Sequence, residues 1–319
     1  MQYAFTFPGQ GSQYVGMGQA LTQISPAAAA VFSAADAALG EPLSKLCFGG
    51  PAEQLDLTVN AQPALLAASI AYLRALEDSS STARPAFYAG HSMGQYSAFV
   101  AAGVISLGDG LRLVRERGRQ MQASASDGAM AAIIGLADER LPELLAAGQV
   151  AGVFTIANRN SPGQVVVSGE KVAVEVAAEQ AKALGAKRAI MLPVSVAAHS
   201  PLMSRAADAM REALAGVSFS DPTAPLLANA DARRLTTAEA CRAELVEHLT
   251  QGVDWVAAIE TMIAAGVDRF VEVGPGKVLT GLVKRIAPDA EAHALDDQSA
   301  AGRYAAPAFL TPNPTGAHP

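Results

Sequence analysis

Cysteine is scarce in this chain, which has only Cys47 and Cys241 among its 319 residues. Two isolated cysteines in a chain of this length indicate a reducing compartment, because disulfide-rich chains belong to oxidising ones. The two cysteines also lack the spacing of a metal site. We therefore predict a cytoplasmic protein without a bound metal.

Long apolar runs are missing as well. No segment reaches the roughly 18 consecutive apolar residues that a membrane-spanning helix needs. Residues 1–10 contain no basic region followed by an apolar run, which a signal peptide would have. We expect neither a membrane partner nor a secretory leader.

Charged residues make up only 17% of the chain, whereas hydrophobic residues make up 50%, and this balance is typical of a folded globular protein. The net charge of −7 argues against a nucleic-acid partner. An acidic protein partner would need a local basic patch, although each such patch could equally be a solvated surface. The candidate patches are Lys182 with Lys187 and Arg188, Arg233 with Arg234, and Lys277 with Lys284 and Arg285.

Alternating strand-like and helix-like segments predict an α/β protein. A strand is expected at 3–7, and Ser25 and Gly40 delimit a predicted helix at 26–39. Between residues 128 and 196 the predicted order is β-α-β-β-α-β, which is typical of a ferredoxin-like unit.

The segment Gly90-His-Ser-Met-Gly94 matches the nucleophile elbow, G-x-S-x-G. A short apolar strand precedes it and a helix follows it, as the motif requires. A sharp turn of this kind presents the serine hydroxyl at a helix N-terminus, which favours developing negative charge. We therefore predict that Ser92 is a catalytic nucleophile.

These patterns together predict one fold. It consists of an α/β-hydrolase-like large subdomain (1–127 and 197–287) with an inserted ferredoxin-like small subdomain (128–196). The remainder, 288–319, is rich in Ala, Pro and Asp and is expected to be an irregular tail.

A serine nucleophile needs a base, and histidine is the commonest one. His199 follows a strand in a loop, whereas His248 lies in a helix-like segment, so elimination favours His199. A hydrolase triad of this fold would also place an acid between Ser92 and His199, and no acid there is convincingly positioned. A serine esterase or thioesterase is the alternative function at this point.

A series of motifs, in order from residue 4 to about residue 285, resembles those of malonyl-CoA:acyl carrier protein transacylases and of the related acyltransferase domains of polyketide synthases. They are Phe7-Pro-Gly-Gln-Gly-Ser-Gln13, Gln62-Pro-Ala64, Gly90-His-Ser-Met-Gly-Gln-Tyr-Ser-Ala98, Arg117-Gly-Arg-Gln-Met-Gln122, Asn160-Ser-Pro-Gly-Gln164, Val194-Ser-Val-Ala-Ala-His199 and Val271-Glu-Val-Gly-Pro-Gly-Lys277. The resemblance implies ping-pong transfer of a malonyl group from malonyl-CoA to an acyl carrier protein, without a cofactor.

The resemblance also implies roles for further residues. The main-chain carbonyl of His248, where the family usually has Gln, would orient His199. The backbone N–H groups of Gln10 and Met93 would form an oxyanion hole. Arg117 would bind the free carboxylate of the malonyl group. Helical periodicity alone would instead place Arg117 on the surface, beside a buried stripe of Leu107, Leu111, Val114, Gly118 and Met121.

Two positions depart from the family pattern. Gln95 stands where the family commonly has Glu, and Val196-Ala-Ala-His199 matches neither His-Ala-Phe-His, common in malonyl-specific polyketide domains, nor Tyr-Ala-Ser-His, common in methylmalonyl-specific ones. The small Ala197 and Ala198 leave room near the base. Malonyl is the favoured substrate, and a broader range that includes methylmalonyl is the alternative.

Overall fold

The computed structural model describes residues 2–79, 84–124, 127–194, 196–296 and Leu310. Within these residues the strands form two mixed sheets, so the predicted α/β class is confirmed. In chain order the strands are β1 (Gln2–Phe7), β2 (Phe87–Gly90), β3 (Gly128–Ile134), β4 (Phe154–Ser161), β5 (Gln164–Glu170), β6 (Arg188–Met191), β7 (Leu226–Leu227), β8 (Arg234–Leu235), β9 (Val253–Asp254), β10 (Val267–Glu272) and β11 (Glu291–Ala294).

The first sheet has the strand order β11-β10-β1-β2-β7-β8. Neighbouring strands run parallel from β11 to β7, and β8 is antiparallel to β7. Tyr3 to Phe7 of β1 are all buried, as expected for an interior strand of a parallel sheet. Phe7 pairs with Gly90, so the carboxyl ends of β1 and β2 lie side by side.

Helices pack against both sheets, and the long α5 is buried over most of its length. In chain order the helices are α1 (Gln19–Ile24), α2 (Pro26–Leu39), α3 (Leu43–Gly49), α4 (Ala52–Leu55), α5 (Thr58–Ser79), α6 (Gly94–Ala101), α7 (Leu107–Ala123), α8 (Leu141–Ala151), α9 (Lys171–Ala183), α10 (Ser204–Ala215), α11 (Ala238–Glu247), α12 (Trp255–Ala264) and α13 (Val278–Ile286), with short 3-10 turns at Asp138–Arg140 and Pro201–Met203.

Local signals explain where helix α2 begins and ends. The Ser25 side chain accepts a hydrogen bond from the Ala28 N–H, and Pro26 occupies the first turn. Gly40 ends the helix with a left-handed backbone, at φ 68°. The predicted bounds of this helix are confirmed.

The second sheet has the order β6-β3-β5-β4-β9. The first four of these strands pair antiparallel, and the chain visits them as β3-α8-β4-β5-α9-β6. An apolar core of their own, with Ile133, Leu144 and Val167, lies between this sheet and its helices. The short β9 comes from a later part of the chain and pairs parallel with β4, which ties the second sheet to the rest of the molecule.

The expectation of an irregular tail over 288–319 is wrong for part of its length. Glu291–Ala294 forms β11, which pairs parallel with β10 at the edge of the first sheet. Beyond it, Asp296 accepts hydrogen bonds from the Tyr14 hydroxyl and the Gly276 N–H, both at 2.7 Å. The sequence of β11 has little strand propensity, and the free edge of β10 provides the partners instead. Residues 297–309 and 311–319 lie outside the described residues.

Neither a membrane-spanning helix nor a metal-binding cluster is present in the described ranges. None of the helices there combines the length and the apolar character needed to cross a bilayer. Among the same residues, no group of three or more His, Cys, Asp and Glu side chains is arranged to hold a metal ion.

Candidate active site

Ser92 lies at the turn between β2 and α6, and its backbone is left-handed, with φ at 54°. A residue other than glycine holds this conformation only when its surroundings fix it. The flanking glycines allow the required close contacts. A Cβ on Gly90 would lie 2.1 Å from the Gly94 carbonyl carbon, and a Cβ on Gly94 would lie 2.2 Å from the Phe7 carbonyl oxygen. The G-x-S-x-G pattern is therefore a packing requirement, of the elbow against itself at Gly90 and against the end of β1 at Gly94.

The fold brings Ser92 and His199 into contact, although they lie 107 residues apart in the chain. The Ser92 Oγ is 2.7 Å from the His199 Nε2. His199 is 3% exposed, and its backbone is left-handed too, with φ at 60°. The neighbouring Ser200 hydroxyl donates to the Ala197 carbonyl at 2.7 Å, which fixes the loop that carries the histidine.

The other ring nitrogen of His199 contacts two main-chain carbonyls. Its Nδ1 lies 2.7 Å from the His248 oxygen and 2.9 Å from the Gln251 oxygen. Carbonyl oxygens can only accept hydrogen bonds, so Nδ1 carries the proton and Nε2 is left to accept from the Ser92 hydroxyl. His248 directly follows α11, where carbonyls have no further helical partner. The contact with Gln251 was not foreseen from the sequence.

Burial is the main reason that the pKa of His199 is lowered to about 4, and the positive charge of Arg117 is the second. The two carbonyl hydrogen bonds oppose this shift without reversing it. The imidazole is therefore neutral near pH 7 and able to accept a proton.

Arg117 lies on α7, is 1% exposed and donates from Nη2 to the Ser92 Oγ at 3.4 Å. The surface position that helical periodicity favoured is wrong. The buried face of α7 is wider than the apolar stripe, because Gly118 lets the helix approach α5 closely; a Cβ there would lie 2.7 Å from the Val59 Cα. Within the part of the chain that the structure describes, Arg117 forms no ion pair with a carboxylate.

A cavity of about 730 Å³ lies over the Ser92 hydroxyl. Its wall includes Arg117 and His199 from the part of the chain around the first sheet, and Met130 and Val166 from the second sheet. The site is therefore assembled where the two sheets meet.

The remaining predicted residues also border this cavity or lie next to it. Gln10 and Met93 both line it; Met93 is buried and has helical backbone angles at the start of α6. Ala198 lines it as well, whereas Ala197 packs against Gly128 on β3.

Asn229 is a site residue that the sequence analysis missed. Its Oδ1 accepts from the Ser92 N–H at 2.9 Å, and its Nδ2 donates to the Gly90 carbonyl at 2.9 Å. Asn229 follows closely after β7, which is parallel to β2, so the carboxyl ends of the two strands meet. A polar residue just after a short apolar strand was the available signal.

The other described histidines have other surroundings. The His91 Nε2 lies 2.8 Å from the Asn160 Oδ1, and its ring meets Trp255 edge-on. The His248 ring is buried beside Tyr96. His293 is on β11, and His318 lies outside the described residues. Of the described histidines, only His199 hydrogen-bonds to the Ser92 hydroxyl.

Comparisons with known proteins agree with the motifs. The acyl transferase domain model matches residues 4–305. The malonyl CoA-acyl carrier protein transacylase of Escherichia coli K12 is 48% identical over 301 residues, which cover 94% of this chain and 97% of that protein. Similar solved structures include an acyl carrier protein S-malonyltransferase from Vibrio cholerae, with a TM-score of 0.89 and 44% identity over 92% of this chain and 96% of that one. A malonyl-transacylase in complex with its type II polyketide synthase acyl carrier protein has a TM-score of 0.87 and 42% identity over 92% of this chain and 95% of that one. The family resemblance of the motifs is confirmed, and the chain belongs to the acyl transferase domain family.

Proposed function

We propose that this chain transfers a malonyl group from malonyl-CoA to the phosphopantetheine thiol of an acyl carrier protein, through a malonyl ester of Ser92. One observation carries the proposal: the Ser92 Oγ lies 2.7 Å from the His199 Nε2 and 3.4 Å from the Arg117 Nη2. The nucleophilic oxygen of Ser92 thus lies within reach of both a base and a group that can bind an anion. The names of the relatives, which are malonyl transferases, support the same substrate.

The reaction proceeds in two half-reactions of the same kind. The Ser92 oxygen attacks the thioester carbon while its proton moves to the His199 Nε2. The carbon–sulfur bond then breaks, and His199 returns the proton to the sulfur of coenzyme A. In the second half, the carrier thiol gives its proton to His199 and attacks the ester. The bond between the acyl carbon and the Ser92 oxygen then breaks, and His199 returns the proton to that oxygen, which restores the hydroxyl.

The oxyanion of each tetrahedral intermediate would be held by the backbone N–H groups of Gln10 and Met93. Both residues line the cavity beside Ser92, and Met93 lies at the start of α6, where N–H groups have no helical partner. One such donor typically contributes about 3 kcal/mol of transition-state stabilisation. The mechanism needs no cofactor.

Arg117 would pair with the free carboxylate of the malonyl group. A guanidinium can bind both carboxylate oxygens at once. Because Arg117 is buried without an acidic partner in the described chain, an acetyl group would leave its charge unpaired. The small Ala198 on the cavity wall supports some tolerance of methylmalonyl beside malonyl.

The proposal includes a two-part organisation of the chain. Residues 1–127 and 197–287 would form an α/β-hydrolase-like subdomain, and 128–196 an inserted ferredoxin-like one. The antiparallel order β6-β3-β5-β4 and the separate apolar core support the second unit. Two free, buried cysteines are consistent with a cytoplasmic location. No nucleic-acid or membrane partner is proposed.

A mass measurement tests the covalent step. Incubation with malonyl-CoA alone should add one malonyl mass to the peptide that contains Ser92, and Ser92→Ala should abolish the adduct. His199→Ala should slow its formation by about 10²- to 10⁴-fold, the usual contribution of a general base. Absence of the adduct in the wild type, or its persistence in Ser92→Ala, would refute the mechanism.

Two of the basic patches belong to elements that continue into cavity-lining residues, and we propose them as candidates for docking the acidic carrier. Helix α13 lines the cavity with Val278 and carries the exposed Lys284 and Arg285. The second patch includes Arg188 on β6, and Leu192, which directly follows β6, also lines the cavity.

We expect charge reversal of Lys284 with Arg285, or of Lys182 with Lys187 and Arg188, to raise the KM for the carrier about tenfold. The KM for malonyl-CoA should stay within about twofold. Arg234→Glu, in the third candidate patch, is the control: neither Arg233 nor Arg234 lines the cavity, and Arg234 stacks on Phe87, so we expect both KM values to stay unchanged. An unchanged carrier KM would remove the altered patch from the docking surface.

A further inference from the structure

A buried carboxylate, Glu244 on α11, contacts the elements that hold both Ser92 and His199. Its side chain is 2% exposed. Its Oε1 accepts a hydrogen bond from the Asn229 backbone N–H at 2.7 Å and lies 3.4 Å from the Gln95 Nε2. Its Oε2 also lies 3.5 Å from the Arg233 Nη2. A carboxylate so deeply buried is costly unless it is hydrogen-bonded or paired, so these three contacts keep it in place.

Both partners of Glu244 lead directly to the elbow. Asn229 bonds the Ser92 N–H and the Gly90 carbonyl. The Gln95 Oε1 accepts from the Gly90 N–H at 3.2 Å, and its Nε2 donates to the Leu227 carbonyl at 2.8 Å. Two amide side chains thus fix both ends of the turn that holds Ser92 in its left-handed conformation. The Glu244 carboxylate contacts both of these residues, Asn229 at its backbone N–H and Gln95 at its side-chain amide.

Glu244 also belongs to the helix whose end carries the carbonyl that orients His199. Glu244 lies in the last turn of α11, and its main-chain carbonyl accepts from the His248 N–H at 3.0 Å. The His248 carbonyl is in turn the 2.7 Å partner of the His199 Nδ1. A movement of α11 relative to the elbow would therefore change the distance between Ser92 and His199.

We propose that Glu244 is a positioning residue that holds the nucleophile and the base in register, through Asn229 and Gln95 on one side and through α11 on the other. The inference rests on the proposed roles of Ser92 and His199. It predicts an effect on kcat with little effect on KM, because Glu244 does not line the cavity.

The charges around Glu244 make its role sensitive to pH. Burial is the main reason that its pKa is raised to about 7; the Asn229 N–H and Arg233 oppose the shift, and Asp231 and Glu247 add to it. The titratable and charged groups that face it are Arg233, Asp231, Glu247, Cys241 and Tyr96. Protonation as the pH falls through 7 weakens Glu244 as an acceptor, so kcat should decline there, well above the pKa of His199 near 4.

The test compares Glu244→Ala, Glu244→Gln and Glu247→Gln in malonyl transfer to a carrier protein from pH 5 to pH 9. Glu247 lies on the same helix and binds the same arginine, Arg233, at 2.7 Å, so Glu247→Gln is the matched control. We expect Glu244→Ala to lower kcat about 10- to 100-fold, as a misplacement of reacting groups does. Both KM values should stay within about twofold.

Glu244→Gln has nearly the same shape and retains an acceptor for the Asn229 N–H. We expect it to lower kcat only about threefold at pH 8 and to abolish the decline of kcat near pH 7. Glu247→Gln should keep the kcat of the wild type at pH 8 and should retain the decline, moved slightly below pH 7, because Glu247 adds to the raised pKa of Glu244.

Other outcomes overturn the inference. If Glu244→Gln keeps the wild-type pH profile, or if Glu244→Ala raises KM as much as it lowers kcat, Glu244 does not position the dyad. Should Glu244→Ala fail to fold, the pH profile of Glu244→Gln still decides. The malonyl adduct on Ser92 distinguishes this inference from the proposed function. If Ser92→Ala loses the adduct while the Glu244 variants behave as the wild type, this inference is refuted and the proposed function is retained.

Discussion

Ser92 and His199 meet at 2.7 Å, but the chain holds them in different ways. Ser92 is constrained first by its immediate neighbours, since Gly90 and Gly94 allow the contacts that a Cβ would prevent, and Asn229 adds two hydrogen bonds from a later segment. His199 is constrained by carbonyls that lie 49 and 52 residues further along the chain. The first kind of constraint requires particular residues, whereas the second requires only a main chain in the right place.

Gly94→Ala should have the largest effect on kcat, because it introduces a side chain where the elbow around Ser92 has no room for one. The new Cβ would lie 2.2 Å from the Phe7 carbonyl oxygen and 2.8 Å from that of Pro8, so the elbow must move away from β1. We expect kcat to fall by at least about 100-fold, the typical result of a 1 Å misplacement, and the thermal unfolding midpoint to fall as well.

Gly216→Ala is the control for that experiment, since a Cβ at Gly216 has no atom within 4 Å. It should leave kcat and the unfolding midpoint close to those of the wild type. A Gly94→Ala enzyme with normal kcat would show that the elbow tolerates a side chain, and the contrast between the two constraints would be lost.

Arg117→Ala should have an intermediate effect on malonyl transfer, and it also tests what lowers the pKa of His199. Malonyl transfer should fall about 10²- to 10³-fold and acetyl transfer much less, because only the malonyl group carries a free carboxylate. Removal of the nearby cation also raises the pKa of His199. Activity needs the neutral imidazole, so its loss on acidification should begin at a higher pH than in the wild type.

The pH dependence of kcat/KM with acetyl-CoA measures that shift, because it reports on the free enzyme. Arg112→Ala on the same helix is the control, as its side chain is 57% exposed. Equal losses for the two acyl groups, or an unshifted acid limb, would contradict the role of Arg117.

His248→Gln should have the smallest effect. The substitution leaves the carbonyl that contacts His199 unchanged, and the amide is close in size to the buried imidazole. We expect kcat to stay within about threefold of the wild type and the unfolding midpoint to move by a few degrees at most. A loss as large as that of Gly94→Ala would mean that the side chain, and not the main chain, holds the base.

The same contrast decides what could be predicted from the sequence. The elbow at Ser92 and the ends of α2 were predictable, because each depends on residue types at fixed short spacings. Asn229 and Glu244 were missed because their contacts with the elbow come from later segments of the chain. Strand β11 was missed because its pairing with β10, and not its own residues, makes it a strand.

Arg117 illustrates the limit most directly. Its buried position depends on how closely Gly118 lets α7 approach α5, which periodicity along one helix does not contain. Only the family motif indicated its burial, and the physical reason became visible with the neighbouring helix in place.

The left-handed backbones of Ser92 and His199 have a consequence for the evolution of this protein. Each conformation costs a residue with a Cβ about 1 to 2 kcal/mol relative to the usual helical region, and glycine would avoid most of that cost. At both positions the residue best suited to the backbone is thus one that has no reactive group. Substitution by glycine at either position would relieve backbone strain but abolish activity. Selection for catalytic activity therefore keeps Ser92 and His199 in place against their cost in stability.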